Sequence, residues 1–224
     1  MERHHFEEDL QVLKQRLLNM GGLVEERVHQ AILSLIERRH ELAERVRDGD
    51  KEVNDLQIEI DDRCLKLLAL QQPMATDLRL ITSAMKINAD LERIGDQAVN
   101  IAENVIRILP HPPLKPIFEL PRMADSAEKM TRDSLDAFVK RDVTLARAVL
   151  KKDDEVDLLK DHVFRVLLTY MMADPGTIER ALGLILISRN LERIADHATN
   201  IAEDVIFLVE ARDVRHHHEE GSER

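Results

Sequence analysis

The sequence has no tryptophan, one tyrosine and five phenylalanines, so aromatic residues make up only 3% of its 224 positions. Sandwiches and barrels of β-strands draw heavily on aromatic and β-branched residues and need turn residues at roughly every 8–12 positions. Seven glycines and seven prolines cannot supply those turns. The short glycine-rich connections of a dinucleotide-binding α/β fold are missing as well. A single cysteine, Cys64, excludes an intrachain disulfide and suits a reducing compartment. The longest apolar stretch, around Leu182 to Ile187, falls far short of the ~20 residues that span a bilayer. The opening Met1-Glu2-Arg3-His4-His5-Phe6 carries no apolar signal core, so a cytoplasmic location is expected. No phosphate-binding G-x-x-x-x-G-K-[S/T] loop, G-x-S-x-G elbow or G-x-G-x-x-G turn occurs, and no catalytic activity is expected.

What remains is rich in Ala, Leu, Ile, Val, Glu, Arg and Asp, a composition that predicts an all-α fold. Thirty-two basic residues face 43 acidic ones, for a formal net charge of −11. Such a chain repels phosphate backbones, which argues against nucleic-acid binding, and it favours cations or basic protein surfaces.

Apolar residues recur at spacings of three and four. Phe6, Leu10, Leu13, Leu17, Met20, Val24, Val28, Ala31 and Leu35 form one seam that continues through Leu42 and Val46, predicting one long helix over 6–47. Gly21-Gly22 are a candidate bend, and Arg47-Asp48-Gly49-Asp50 the first breaker. Val53, Leu56, Ile60, Cys64 and Leu67 mark a second helix, ended by Gln71-Gln72-Pro73. Thr76 and Asp77 are N-cap candidates for a third, which carries Leu80 to Ile108. Four of the seven prolines lie between Pro110 and Pro116, at the midpoint of the chain. The second half repeats the plan. A helix is expected from Pro121 to Lys151, a breaker at Lys152-Asp153-Asp154, another helix through Val156 to Leu167, a turn at Asp174-Pro175-Gly176-Thr177, and a last helix from Ile178 to Glu210. The expected units are therefore a three-helix repeat over 1–109, a Pro-rich linker over 110–120, a second three-helix repeat over 121–210 and a disordered polar tail over 211–224.

The halves are related in sequence as well as in plan. Residues 91–106 read LERIGDQAVNIAENVI and residues 191–206 read LERIADHATNIAEDVI, identical at 12 of 16 positions. Upstream, Leu42-Ala43 and Glu52-Val53 match Leu145-Ala146 and Glu155-Val156 at an offset of 103. Packing explains the shared Leu, Ile, Ala and Val positions but not the shared polar ones. Glu92, Asp96, Asn100 and Glu103, and their counterparts Glu192, Asp196, Asn200 and Glu203, each fall on one helical stripe opposite the apolar seam. Carboxylates one turn apart repel each other and weaken a helix. Hard cations would offset that cost, because they take oxygen ligands and can be bridged by paired carboxylates. Asp157 and Asp161 are candidate further ligands in the second half; at the same offset the first half has Asn54 and Ile58, leaving Asp55 and Glu59 as alternative donors there.

The doubled L-E-R-I-x-D-x-A-x-N-I-A-E, together with Met20-Gly21-Gly22-Leu23-Val24-Glu25 and Gln71-Gln72-Pro73-Met74-Ala75-Thr76-Asp77-Leu78-Arg79, resembles the PhoU family over residues 6 to 210. The resemblance implies a pair of pseudo-symmetric three-helix bundles and a homodimer. It implies multinuclear iron, or another divalent or trivalent metal, on the surface at Glu92, Asp96, Glu192 and Asp196. It also implies a regulator of phosphate-specific transport that represses the phosphate-starvation response when phosphate is ample. The implied partners are the transporter's ATPase subunit and a PhoR-type sensor histidine kinase, with membrane association only through them.

Other motifs read differently. Glu26-x-x-His29 and Glu37-x-x-His40 have the spacing of a ferritin-like ligand pair, but both lie on one helix and face away from its seam, where a di-iron site needs one from each of two helices pointing inward. Cys64 sits on a core seam and reads as a buried thiol. His162 and His197 adjoin Asp161 and Asp196 and read as surface histidines, and His216-His217-His218 as part of the polar tail.

Overall fold

Seven α-helices and one 3-10 turn carry the described chain, residues 2–114 and 119–214 of a computed structural model, and no strand occurs among them. The helices are α1 Glu2–Ile36, α2 His40–Asp48, α3 Asp50–Gln71, α4 Ala75–Ile108, α5 Glu119–Lys140, α6 Val143–Ala173 and α7 Ile178–Glu210, with the 3-10 turn at Pro175–Thr177. α1, α2 with α3, and α4 make one three-helix bundle; α5, α6 and α7 make the other. With α2 and α3 counted as one interrupted helix, the six expected helices are present. α4 packs along α7 and α1 against α5, so one continuous core crosses both repeats. The His216 to His218 tract lies outside the described residues.

Two of the expected boundaries fall elsewhere. The helix predicted over 6–47 breaks at Arg38, and the one predicted over Pro121 to Lys151 breaks at Arg141. Both arginines adopt left-handed backbone, with φ of 55° and 54°, and they are 103 positions apart. The next amide closes back over the helix end at each break: Arg39 N–H donates to the Ser34 carbonyl at 3.0 Å, and Asp142 N–H to that of Ala137 at 2.9 Å. Such wraps satisfy carbonyls that a helix end leaves orphaned, and this offsets the roughly 1–2 kcal/mol cost of left-handed backbone in a residue with a side chain. Asp142 then caps α6, its carboxylate accepting from Leu145 N–H at 3.0 Å. The guanidinium of Arg38 secures the far end of α4 by donating to the Leu109 and His111 carbonyls at 2.5 and 2.8 Å.

The second expected breaker, Lys152-Asp153-Asp154, is instead interior to α6. The first shrinks to one residue, Gly49, between α2 and α3. Arg27 explains the difference. Its guanidinium donates to the carbonyls of Arg45 and Val46 at the end of α2, at 3.2 and 3.4 Å, and pairs with Glu52 at 3.0 Å. It lies where a Cβ on residue 49 would project. The second repeat has Met130 and Lys152 at these two positions, and its helix runs through.

α1 passes Gly21-Gly22 without a break. Gly21 lies against the Leu135 side chain, while nothing stands within 4 Å of a Cβ on Gly22. Gly22→Ala is therefore expected to raise unfolding free energy by about 0.5–1 kcal/mol in a urea titration, the usual glycine-to-alanine gain inside a helix. α4 begins at Ala75, one residue before the expected caps, with no side-chain cap on its first turn.

Candidate functional site: two acidic clusters beside the inter-repeat seam

α4 and α7 meet about a local pseudo-twofold. Near one end Ser83 lies against the backbone of Asp204, its hydroxyl donating to that carbonyl at 3.5 Å; near the other, Gly183 lies against Ile108 and the backbone of Asn104. Small residues at 83 and 183 thus let the helices approach. The polar groups between them are not symmetric. Asp90, buried, accepts from Asn200 at 3.2 Å and pairs with His197 at 2.9 Å. Lys86 pairs with buried Asp204 at 2.9 Å. At an offset of 100 the mirrored positions are uncharged: Asn190, Gln97, Asn100, Leu186 and Asn104.

The repeated carboxylates flank this seam. Glu92 and Asp96 lie one turn apart on α4, Glu92 half-buried and Asp96 exposed; Glu192 and Asp196 hold the same positions on α7. Burial raises the Glu92 carboxyl above its usual range, with Asp96 adding to the effect. Asp96 is raised by burial and then by Asp50. In the second repeat Asp196 is raised by burial, then by Glu192 and Asp157. Asp153 is pushed up to about 6, first by burial and then by Asp196, Asp157, Asp154 and Glu192.

The first cluster is therefore Asp50, Glu92 and Asp96, and the second is Asp153, Asp157, Glu192 and Asp196. Asp50 and Asp153 were not among the residues expected from sequence. They are identical at an offset of 103, beside the matched Glu52-Val53 and Glu155-Val156 pairs, so the signal was present. It was obscured because both positions read as breakers.

The rest of the stripe does not converge. Glu103 and Glu203 each lie seven residues past the clustered Asp, about 10 Å along the helix. Asn200 serves the seam, and the Asn100 carbonyl accepts from Asn104 at 2.7 Å. Asp161 is exposed on α6 and contributes to neither cluster. Glu59, an alternative donor, is taken by Arg16 and Arg63 at 3.1 and 2.9 Å. His162 pairs with Glu119 at 3.2 Å, and His197, largely buried in the seam, is not the surface histidine expected. His29 faces Glu128 across the α1–α5 contact at 3.5 Å, and His40 pairs with Glu44 along α2 at 3.4 Å, so neither Glu-x-x-His forms an inward ligand pair. Cys64 is buried, its thiol pushed up to about 12 by burial and by Asp61.

Among the described residues, no three carboxylate, histidine or cysteine side chains gather about one point as a bound metal ion requires. In the second cluster an ammonium is already seated between two carboxylates. Lys160 Nζ lies 2.8 Å from Asp157 and 3.1 Å from Glu192. Those contacts, Asp157 first, hold its pKa above the ordinary lysine range.

The raised Asp153 carboxyl has a signed consequence. Between about pH 4 and 6 the folded state holds this proton more tightly than the unfolded state, so the favourable contribution is lost as pH rises through about 6. Asp153 is half exposed, and solvent screening reduces the resulting cost near neutrality to about 1 kcal/mol. Asp153→Asn is expected to stabilise the chain by about that amount at pH 7.5 and by nothing at pH 4, read from urea unfolding at both.

A duplicated all-α scaffold, with two bundles joined along a pair of helices that carry the repeated stretch and an acidic cluster in each half, defines the class. The PhoU domain model matches residues 17–105 and 120–205. The chain is 44% identical to the phosphate-specific transport system accessory protein PhoU homolog of Pseudomonas putida, covering 95% of this chain and 85% of that one. It is 42% identical to the corresponding homolog of Aquifex aeolicus, covering 94% and 95%. The crystal structure of PhoU from Pseudomonas aeruginosa superposes with a TM-score of 0.89 at 42% identity, over 92% of this chain and 100% of that one. The phosphate transport system regulatory protein PhoU from Streptococcus pneumoniae gives 0.86 at 30% identity, over 93% and 99%. The chain belongs to the PhoU family. No helix among the described residues is long and apolar enough to cross a membrane.

Proposed function

We propose that this chain regulates phosphate transport as a non-catalytic adaptor. The observation that carries the reading is the shared two-bundle scaffold, which spans nearly the full length of relatives named as accessory or regulatory proteins of phosphate transport. In this reading it works in the cytoplasm as a homodimer. It binds the transporter's ATPase subunit and a PhoR-type sensor histidine kinase, and it keeps the phosphate-starvation genes off when phosphate is ample. Long helices supply rigid surfaces for such docking, and acidic faces suit basic cytosolic segments of membrane partners. A strain lacking the chain is expected to express phosphatase constitutively in high phosphate; normal repression there would sink the regulator reading. Retention of the ATPase subunit and of the kinase's cytosolic part on the immobilised chain tests the partners.

The same reading gives the acidic clusters a multivalent cation, iron or another divalent or trivalent metal. Asp50, Glu92 and Asp96 would hold it in the first repeat, and Asp153, Asp157, Glu192 and Asp196 in the second. The cation would neutralise carboxylates that now raise one another's pKa. Asn100, Glu103, Asp161, Asn200 and Glu203, which share the stripes or the neighbouring helix, are not needed for either set.

A further inference from the structure

Away from the seam and the acidic clusters, one face of the second repeat is left apolar. The turn at Pro175–Thr177 folds α7 back along α6, and the contact of Lys160 with Glu192 at 3.1 Å fixes their register. Positions that advance from 160 toward the turn on α6 therefore lie alongside positions that recede from 192 on α7. Phe164, Leu168 and Met172 follow one another at one-turn spacing on α6, as Ile178, Leu182 and Leu186 do on α7. All six are exposed, from 37% at Leu186 to 79% at Met172. They lie outside the buried row that holds the two helices together, Val163 and Leu167 against Ala181 and Ile185.

The first repeat does not build this face. At offsets of 103 on α6 and 100 on α7, Phe164, Met172, Leu182 and Leu186 stand where the first repeat has Asp61, Ala69, Thr82 and Lys86. There Asp61 accepts from the Asn88 amide at 2.9 Å and Lys86 pairs with Asp204, so both charges are used within the chain. Two arginines border the apolar face: Arg165 follows Phe164 on α6, and Arg189 lies across from it on α7. The first repeat has Asp62 and Ala89 at their positions. Both arginines are exposed, and neither makes an ion pair among the described residues. In a chain of net charge −11, every one of these differences runs toward an apolar or a cationic side chain.

An exposed apolar patch on the order of a few hundred Å² marks an interaction site. It falls short of the roughly 800 Å² per partner of a stable dimer, and the face laid against its own copy would crowd like guanidinium groups. A bilayer fits no better, because Asp153, Asp157, Glu192 and Asp196 lie further along the same two helices and repel anionic lipid. A single helix fits both features, its apolar row seated over α6 and α7 and its carboxylates against Arg165 and Arg189. We infer that the α6–α7 face of the second repeat is a docking site for an acidic amphipathic helix of a partner protein. The inference deepens the adaptor reading and rests on it, and it assigns this docking to one repeat of the two.

A labelled synthetic peptide of about 20 residues tests it, with leucines at i, i+3, i+4 and i+7 and glutamates on the flanks. It is added to the purified full-length chain and followed by fluorescence anisotropy. Binding is expected to weaken at least about tenfold in Phe164→Ser/Leu182→Ser, and by less than about twofold in Leu65→Ser/Leu78→Ser on the first repeat. Arg165→Glu/Arg189→Glu leaves the apolar side chains in place; it is expected to lose the glutamate peptide and to gain one with lysine flanks. Should the serine pair on the second repeat fail to fold, this charge-reversed pair carries the test. No binding by the wild type, or equal loss from the two serine pairs, overturns the inference. A wild-type dimer that Phe164→Ser/Leu182→Ser dissociates in sedimentation velocity also overturns it, since the occupant would then be a second copy. Flotation with phosphatidylglycerol vesicles that the same variant loses overturns it in favour of a membrane surface. Peptide binding is read apart from phosphatase expression, so the two readings fail separately. Normal repression in the deletion strain beside face-dependent binding ends the adaptor role and leaves the docking site, and constitutive phosphatase without peptide binding does the reverse.

Discussion

Phe138→Ala is expected to cost about 3–5 kcal/mol, the range for truncating a fully buried aromatic, and to lower the melting temperature by roughly 10 °C or more. Phe138 is the largest of the fully buried side chains, at 1% exposure. It lies on the last turn of α5, where its carbonyl accepts from Arg141 N–H at 3.4 Å. The side chain therefore pins the turn whose backbone wraps into the left-handed break. Its truncation opens a cavity and loosens the start of α6 together. Differential scanning calorimetry reads the total, and hydrogen exchange at Asp142 and Leu145 reads the local part, with faster exchange expected there than at α1.

The second large effect is at Gly183. Gly183→Leu is expected to destabilise by about 3 kcal/mol, at the upper end of overpacking costs, because the side chain would have to displace Ile108 and press toward the Asn104 backbone. Neither neighbour can yield without parting α4 from α7, the contact through which the two bundles share a core. Gly22→Leu, on an open face of α1, is the matched control and is expected to be neutral or stabilising in the same urea titration.

The helical character, the two three-helix repeats and the duplication were legible because each rests on local periodicity and on identity between the halves. Leu91, Ile94, Ala98, Ile101 and Val105 are buried as the seam requires, and so are their counterparts. The breaks were not legible. Arg38 and Arg141 carry none of the usual markers of left-handed backbone, and only the wrapped amides that follow them make the conformation affordable. Gly49 and Lys152 show the converse: similar surroundings in sequence, but only one faces Arg27. For the clusters, helical geometry found the pairs Glu92 with Asp96 and Glu192 with Asp196, since these depend on one helix each. It could not find Asp50 and Asp153, which arrive from neighbouring helices, nor choose Asp157 over Asp161, which depends on how α6 is rotated against α7.

The uneven seam between α4 and α7 bears on how this chain avoids a mistaken embrace. Helices that share this repeated stretch could pair α4 with α4, or α7 with α7, across two molecules. In the first arrangement Asp90 would meet Gln97 in place of His197, and Lys86 would meet Asn104 in place of Asp204. In the second, the buried Asp204 carboxylate would lie against Leu186. Every ionic contact of the seam is lost in either exchange and kept only when the two halves of one chain close on each other. The fused halves are thus matched to each other and not to a second copy of either helix.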